Sequence, residues 1–258
     1  RRIMARRPTE ENWESQILDV SFSIVKKCTD WLQLKGRLKE EGIFRVSGSV
    51  KRIKALTEQM QDEATGGNPV NLDESDVHTV GGVLKKTVIA IEPPLVPDHA
   101  FEAMQLAQFG EGDLAPRLQS YRKALSSVPA ARLEILKHIV GFLRGVVREH
   151  SSNRMDAQNV SRVWSASLLR GSDDMQSTLL LASGRLASIL LTLIVSDVLL
   201  GTTFDPVTFR GLSDKELPSV LTQEQDKFDK AGSFTQQKEW VHVGGGAAQA
   251  GAHRHTMP

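Results

Sequence analysis

The chain has 258 residues, with 32 Lys and Arg against 31 Asp and Glu for a formal net charge of +1. That balance gives no ground for expecting nucleic acid or a strongly acidic substrate as partner, and the length suffices to bury a sizeable core. Cys28 is the single cysteine, so no intrachain disulfide is possible, which suits a reducing compartment and a cytoplasmic protein.

Arg1-Arg2-Ile3-Met4-Ala5-Arg6-Arg7 is basic but has no apolar run behind it, so we expect no secretory signal there. Residues 1–12 read as a basic extension, solvated by default, and as the one stretch suited to touching an acidic membrane surface. From Trp13 to Leu34, apolar residues recur at Ile17, Leu18, Ile24, Val25, Cys28, Trp31 and Leu32. This is a helical stripe that places Cys28 inward as an inert thiol. Gly36 closes it.

The stretch Glu40-Glu41-Gly42-Ile43-Phe44-Arg45-Val46-Ser47-Gly48-Ser49 sets a single Arg between apolar anchors and a Ser-Gly-Ser cluster. Val50, Ile53, Leu56 and Met60 then follow at helical spacing, with Ser47 or Ser49 as the expected N-cap. Arg45 therefore sits in a loop held at both ends and is free to be presented outward. Gly66-Gly67-Asn68-Pro69 marks a turn.

Val77, Val80, Leu84, Val88 and Ile91 predict the inward stripe of the next helix, with His78, Gly82, Lys85 and Ile89 on another face. Gly81 and Gly82 each cost that helix about 1 kcal/mol against Ala, so something is expected to approach its backbone closely. Pro93 and Pro94 end it. Leu114, Leu118, Tyr121 and Leu125 predict one amphipathic helix, and Leu133, Leu136, Val140, Leu143 and Val147 another. On the second, Arg132, Lys137, Arg144 and Arg148 are expected on a solvated face, with a partner surface as the other reading. Asp156 is a candidate N-cap for a helix through Val160, Val163, Trp164 and Leu168.

Leu186 to Leu200 is too short and too polar to span a bilayer and reads as a core helix. Beyond it Phe204 and Phe209 are expected to pack on the domain, whereas 210–258 reads as an extension or flexible tail. Its His253 and His255 are no more than an adventitious metal site. No sustained period-two alternation appears, so the fold class is all-α: a helical domain over 13–209.

The segment Glu41 to Ser49 resembles the arginine-finger loop of the RhoGAP family, the GTPase-activating proteins for Rho-type small GTPases. Two further blocks are similar in the same order: Asp76-Val77-His78-Thr79-Val80 with Leu84-Lys85, and Asn153-Arg154-Met155 with Leu168-Leu169-Arg170. The resemblance implies a monomeric domain that binds a GTP-loaded Rho-family GTPase and inserts Arg45 at the phosphates in trans. GTP hydrolysis is slow where charge developing in the transition state is incompletely neutralised, and an arginine finger contributes roughly 10³ to 10⁵ in rate. Guanidinium suits the task because it is planar, always charged and able to bond two oxygens at once. Such a helper needs no cofactor, metal or nucleophile of its own, and none is expected here.

By the same resemblance Lys85 steadies the finger loop and touches the GTPase, and Asn153 and Arg154 belong to the binding surface. Two positions depart from the family pattern. Ile89 stands where the family typically has Arg one turn after the Lys, and Ser167, in Ser165-Ala166-Ser167-Leu168-Leu169, stands where it typically has Asn. Ile89 lies at i+4 from Lys85 and shares its face, whereas Lys86 is rotated about 100° away. Ser167 lacks the reach and the two amide donors of Asn. Both changes bear on docking at the partner surface, and they motivate the alternative: a binding or scaffold module of the same fold that stimulates hydrolysis weakly or not at all.

Overall fold

Amphipathic periodicity carries this chain into helices that bury one stripe each, and the stripes meet in one core. The structure, a computed structural model, describes residues 10–110, 114–169, 184–196 and 199–200. No strand occurs among them. In chain order the helices are α1 (Glu10–Gln33), α2 (Val50–Ala64), α3 (Val77–Ile89), α4 (Asp98–Phe109), α5 (Leu114–Ser126), α6 (Ala130–Arg148), α7 (His150–Asn153), α8 (Ala157–Leu168) and α9 (Arg185–Val195). Short 3₁₀ turns at Leu34–Lys39 and Leu72–Glu74 precede the Arg45 loop and α3. The all-α class expected from the sequence is what is found.

Helix α3 runs against α1, α2 and α8, and α9 against α8, α6 and α4. Along α1, Ile24, Val25, Cys28 and Leu32 are buried, and burial pushes the Cys28 thiol up to about 12, so it is inert. Its sulfur packs 4.0 Å from that of Met60 on α2. The α3 stripe is buried at Val80, Leu84 and Val88 and continues to Ile91 just past the helix end. Every residue from Leu186 to Val195 of α9 is buried, as a core helix requires. Tyr121 of α5 and Thr192 of α9 both donate to Gln108 Oε1 of α4, at 2.8 and 3.0 Å, which joins these helices through a buried polar node.

Asp156 caps α8 through Asn159 N–H at 2.7 Å, as expected. Ser49 stands at the head of α2 with extended backbone, and its carbonyl, rather than its hydroxyl, meets the helix by accepting from Ile53 N–H at 2.8 Å.

The expectation for the basic residues of α6 needs correction. Arg132 and Arg144 are buried, so neither lies on a solvated face or a partner surface. Arg132 donates to the carbonyls of Pro93 and Pro94 and pairs with Glu14 of α1. Arg144 reaches the C-terminal end of α9, donating to Ile194 O at 2.8 Å, Leu193 O at 3.1 Å and Ser196 O at 2.7 Å. A helix C-terminus leaves carbonyls unbonded and carries partial negative charge, which favours a cation there. The periodicity of α6 marks its apolar positions but cannot show that a distant helix end lies within an arginine's reach. The expectations on residues 1–9, the Leu114 side chain, Arg170, Phe204, Phe209, His253, His255 and the 210–258 tail fall outside the described residues.

Candidate functional site

The loop carrying Arg45 is fixed by three kinds of anchor. First is a backbone turn. Gly42, at φ +72°, places its carbonyl to accept from Arg45 N–H at 2.9 Å and Val46 N–H at 2.8 Å. That left-handed conformation suits glycine, and a Cβ there would come within 2.8 Å of Val46 Cγ2.

Second is burial of the two residues before Arg45. Ile43 is fully enclosed, and the Phe44 ring lies edge-on to Trp164 of α8 at 5.0 Å and to Phe142 of α6 at 5.9 Å. Phe44 itself is left-handed at φ +67°. A non-glycine residue adopts that conformation at a cost of order 1 kcal/mol or more, which aromatic burial offsets.

Third is close contact with α3. The Phe44 ring crosses Gly81, where an added Cβ would lie 3.0 Å away, and Gly48 presses on the His78–Thr79 backbone, where a Cβ would lie 2.7 Å from Thr79 N. Ile53 of α2 covers Gly82. The close approach expected at Gly81 and Gly82 is therefore real, and its agents are the loop and α2.

Asn153 ties the loop to the far side of the domain. Its backbone carbonyl accepts from Gly42 N–H at 2.8 Å. Its side-chain amide donates to Leu38 O and Val146 O, both at 2.8 Å, while its Oδ1 accepts from Met155 N–H at 2.7 Å. The residue is fully buried. The next residue, Arg154, ends α7 in a left-handed conformation at φ +60° and is exposed.

At the start of α3, Asp76 caps the helix, accepting from Thr79 N–H at 2.8 Å and from the Thr79 hydroxyl at 2.7 Å. Partial burial alone would raise the carboxyl's pKa, and the Thr79 bonds outweigh it, holding the group below its ordinary value. His78 Nε2 lies 3.7 Å from Glu40 Oε1, a second link between α3 and the loop.

Arg45 is exposed, and its guanidinium lies over Gly42, with Nη2 3.6 Å from where a Cβ would sit. Among the described residues the guanidinium has neither a hydrogen-bond nor an ion-pair partner. Lys85 is half-buried without an ion-pair partner among the described residues, and burial lowers its pKa. Ile89, the last residue of α3, keeps 44% of its surface exposed. Ser167, by contrast, is buried on α8, and like Asn153 it presents almost no surface to a partner. Packing explains both: Asn153 spends its amide on the fold, and Ser167 shares the inner face of α8 with Trp164 and Leu168.

Among the residues that hold the site, Trp164 appeared in the sequence as no more than a helical core position, and Phe142 was not singled out. The carbonyl of Asn153 gives no sequence signal, because any residue has one.

The all-α domain thus displays Arg45, exposed and without an ion-pair partner among the described residues, from a loop packed against its own core. The chain belongs to the RhoGAP family: the RhoGAP domain model matches residues 23–173. It is 32% identical over 148 residues to Rho GTPase-activating protein gacY of Dictyostelium discoideum, covering 57% of this chain and 20% of that protein. It is 30% identical over 149 residues to human Rho GTPase-activating protein 24, covering 57% of this chain and 19% of that protein. The chain thus spans about a fifth of the length of these relatives. Among solved structures it is similar to the BH domain from GRAF, the GTPase regulator associated with focal adhesion kinase. The TM-score is 0.60 at 20% identity, covering 73% of this chain and 99% of that one. Human Rho GTPase activating protein 15 gives a TM-score of 0.57 at 23% identity, with 73% and 96% covered. These two likenesses are of fold. Among the described residues no helix is long and apolar enough to cross a membrane.

Proposed function

We propose that this domain binds a GTP-loaded Rho-family GTPase as a cytosolic monomer and accelerates its GTP hydrolysis by placing Arg45 against the phosphates. The observation that carries the reading is the contrast within one loop: an exposed guanidinium without an ion-pair partner, directly after two buried residues. An arginine needed for stability would be paired, as Arg132 and Arg144 are. Arg45 is instead held on a scaffold that has already fixed its backbone. Little conformational entropy remains to be lost on insertion, and the charge meets the developing phosphoryl charge at low reorganisation cost.

The other residues take graded roles in this reading. Lys85 offers an ammonium whose burial leaves it short of acceptors, so a carbonyl or carboxylate of the partner is a favourable neighbour. Arg154 and Ile89 border the contact surface. Asn153 acts through the loop it holds, and Ser167 through the packing of α8 behind Phe44.

The test is single-turnover phosphate release from a panel of GTP-loaded small GTPases. Arg45→Ala is expected to lower the stimulated rate by about 10³-fold or more while leaving much of the binding, and Arg45→Lys to recover little, because Lys lacks the planar fork. An unchanged rate in Arg45→Ala refutes the role.

One observation favours the scaffold reading: the Lys85 face ends in an apolar Ile89 where the family typically carries a charge. Restoring Ile89→Arg and Ser167→Asn separates the two. A large gain from a near-zero baseline supports the scaffold, and little gain on an active baseline excludes it.

A further inference from the structure

Large apolar side chains are exposed at few described positions, and three of them lie on the Arg45 loop, the first turn of α2 and the end of α3: Val46, 48% exposed, Val50, 82%, and Ile89, 44%. Val46 follows the arginine directly. Val50 opens α2 one turn before Ile53, the residue that covers Gly82 of α3. From Gly82, Lys85 and Ile89 follow at successive turns of the same α3 face, Ile89 lying about 10 Å along the axis. Gly48 against the head of α3 and Ile53 against Gly82 set the loop and the first turn of α2 along α3, Ile89 lies further along the Lys85 face, and Lys51, Arg52 and Lys54 are exposed beside Val50.

An exposed apolar group is unfavourable facing water and favourable against a surface that is itself apolar. A second cation at position 89 would have asked for a carboxylate instead. Resting on the reading of Arg45 as a finger, we propose that Val46, Val50 and Ile89 form an apolar margin that sets partner choice. It selects Rho-family GTPases presenting an apolar rather than an acidic side chain opposite Ile89. Two consequences follow. The contribution of position 89 to docking depends weakly on ionic strength, less than a cation there would, since desolvation of apolar surface is little screened by salt. The margin acts on affinity, while Arg45 acts on the rate within the complex.

The experiment titrates the domain against a panel of GTP-loaded Rho-family GTPases in single-turnover hydrolysis at low and moderate salt. Ile89→Ser, Val50→Ser, Ile89→Arg and Arg45→Ala are run beside wild type. For the preferred GTPase, Ile89→Ser is expected to raise the half-saturating concentration about 5- to 10-fold, as losing part of a buried Ile side chain implies. The rate at saturation is expected to stay within about 2-fold. Ile89→Arg is expected to steepen the salt dependence and shift preference toward GTPases with an acidic residue at the facing position.

Unchanged half-saturation in Ile89→Ser across the panel overturns the margin, as does an Ile89→Arg variant that strengthens every partner alike. If wild type stimulates no GTPase, the finger reading fails by itself. The same variants are then titrated against GTPases loaded with a non-hydrolysable GTP analogue, where loss of affinity in Ile89→Ser upholds the margin. Equal or absent binding overturns it.

Discussion

Asn153→Ala tests the central structural argument, that the Arg45 loop is held in place from behind. The substitution removes three side-chain bonds, to Leu38 O, Val146 O and Met155 N–H, all at a fully buried residue. They are not equal. Val146 O also accepts from Glu149 N–H at 3.2 Å and so keeps a partner, whereas Met155 N–H loses its side-chain acceptor and Leu38 O its side-chain donor. A buried group left unsatisfied costs about 1–3 kcal/mol, so two of them amount to about 2–6 kcal/mol, to which a small void adds. The backbone carbonyl that holds Gly42 survives, but the turn presenting it loosens.

The assay pairs urea denaturation with single-turnover hydrolysis at a temperature where the variant stays folded. We expect the free energy of unfolding to fall by the amount above, read as a lower urea midpoint at unchanged slope, and the stimulated rate to fall about 10-fold or more, since misplacement by about an ångström is enough to cost that much. Leu186→Ala, on the buried α9, serves as a control of similar destabilisation and is expected to leave the rate of folded protein close to wild type. Asn153→Asp sharpens the test. Its carboxylate keeps an acceptor for Met155 N–H but faces two carbonyls, which raises its pKa above the unfolded value, so the variant's stability falls as pH rises through the carboxylate range. A loss below about 1 kcal/mol for Asn153→Ala, or a rate no lower than that of the Leu186→Ala control, refutes the holding role.

Three further outcomes follow. Arg144→Met removes a guanidinium bonded to three carbonyls at the end of α9, and denaturation should show a loss of about 3–5 kcal/mol, as for breaking other buried charged networks. Gly48→Ala should impair stimulated hydrolysis more than Gly81→Ala: the added methyl meets the Thr79 backbone at 2.7 Å in the first case and the Phe44 ring, a side chain able to yield, at 3.0 Å in the second. His138, whose Nε2 lies 2.8 Å from Thr29 Oγ1, has its pKa lowered chiefly by burial. The unfolded chain therefore binds the proton more readily, and this contribution is complete above the ordinary histidine value of about 6.5 and is lost as pH falls below it. The difference in stability between wild type and His138→Asn, followed from pH 7.5 to 5, should shrink accordingly.

How far the sequence alone reached depended on the range of the interaction concerned. Apolar stripes are local, and those of α1, α3, α8 and α9 turn inward as expected, with Ile17, Trp31, Val77 and Val163 half-buried and the rest enclosed, because period 3.6 is fixed by backbone geometry. The Arg45 loop was legible for the same reason: Gly42, Ile43 and Phe44 announce a turn and two anchors within a few residues. What stayed hidden acts across long separations. Arg132 and Arg144 occupy polar positions of an amphipathic helix and are nonetheless buried, because each finds carbonyls some 40 to 50 residues away that satisfy its charge. Asn153 likewise matched a motif as a surface residue and is in fact enclosed, its amide consumed by three segments.

The same distinction bears on how the site works. Arg132 and Arg144 on α6 are stabilising because the fold completes their hydrogen bonding. Arg45 stands out because the fold spends its anchors on Gly42, Ile43, Phe44 and Gly48 and leaves the guanidinium between them without an ion pair. A salt bridge to Arg45 would add at most about 1 kcal/mol at an exposed position and would have to be broken before the charge met a phosphate. Supplying Arg45 with an internal carboxylate, for instance through Val46→Asp, is therefore expected to leave stability within about 0.5 kcal/mol and to lower stimulated hydrolysis. That combination is measured by denaturation beside phosphate release. If hydrolysis is unaffected while the pair forms, an unpaired guanidinium is not what the loop is built to provide.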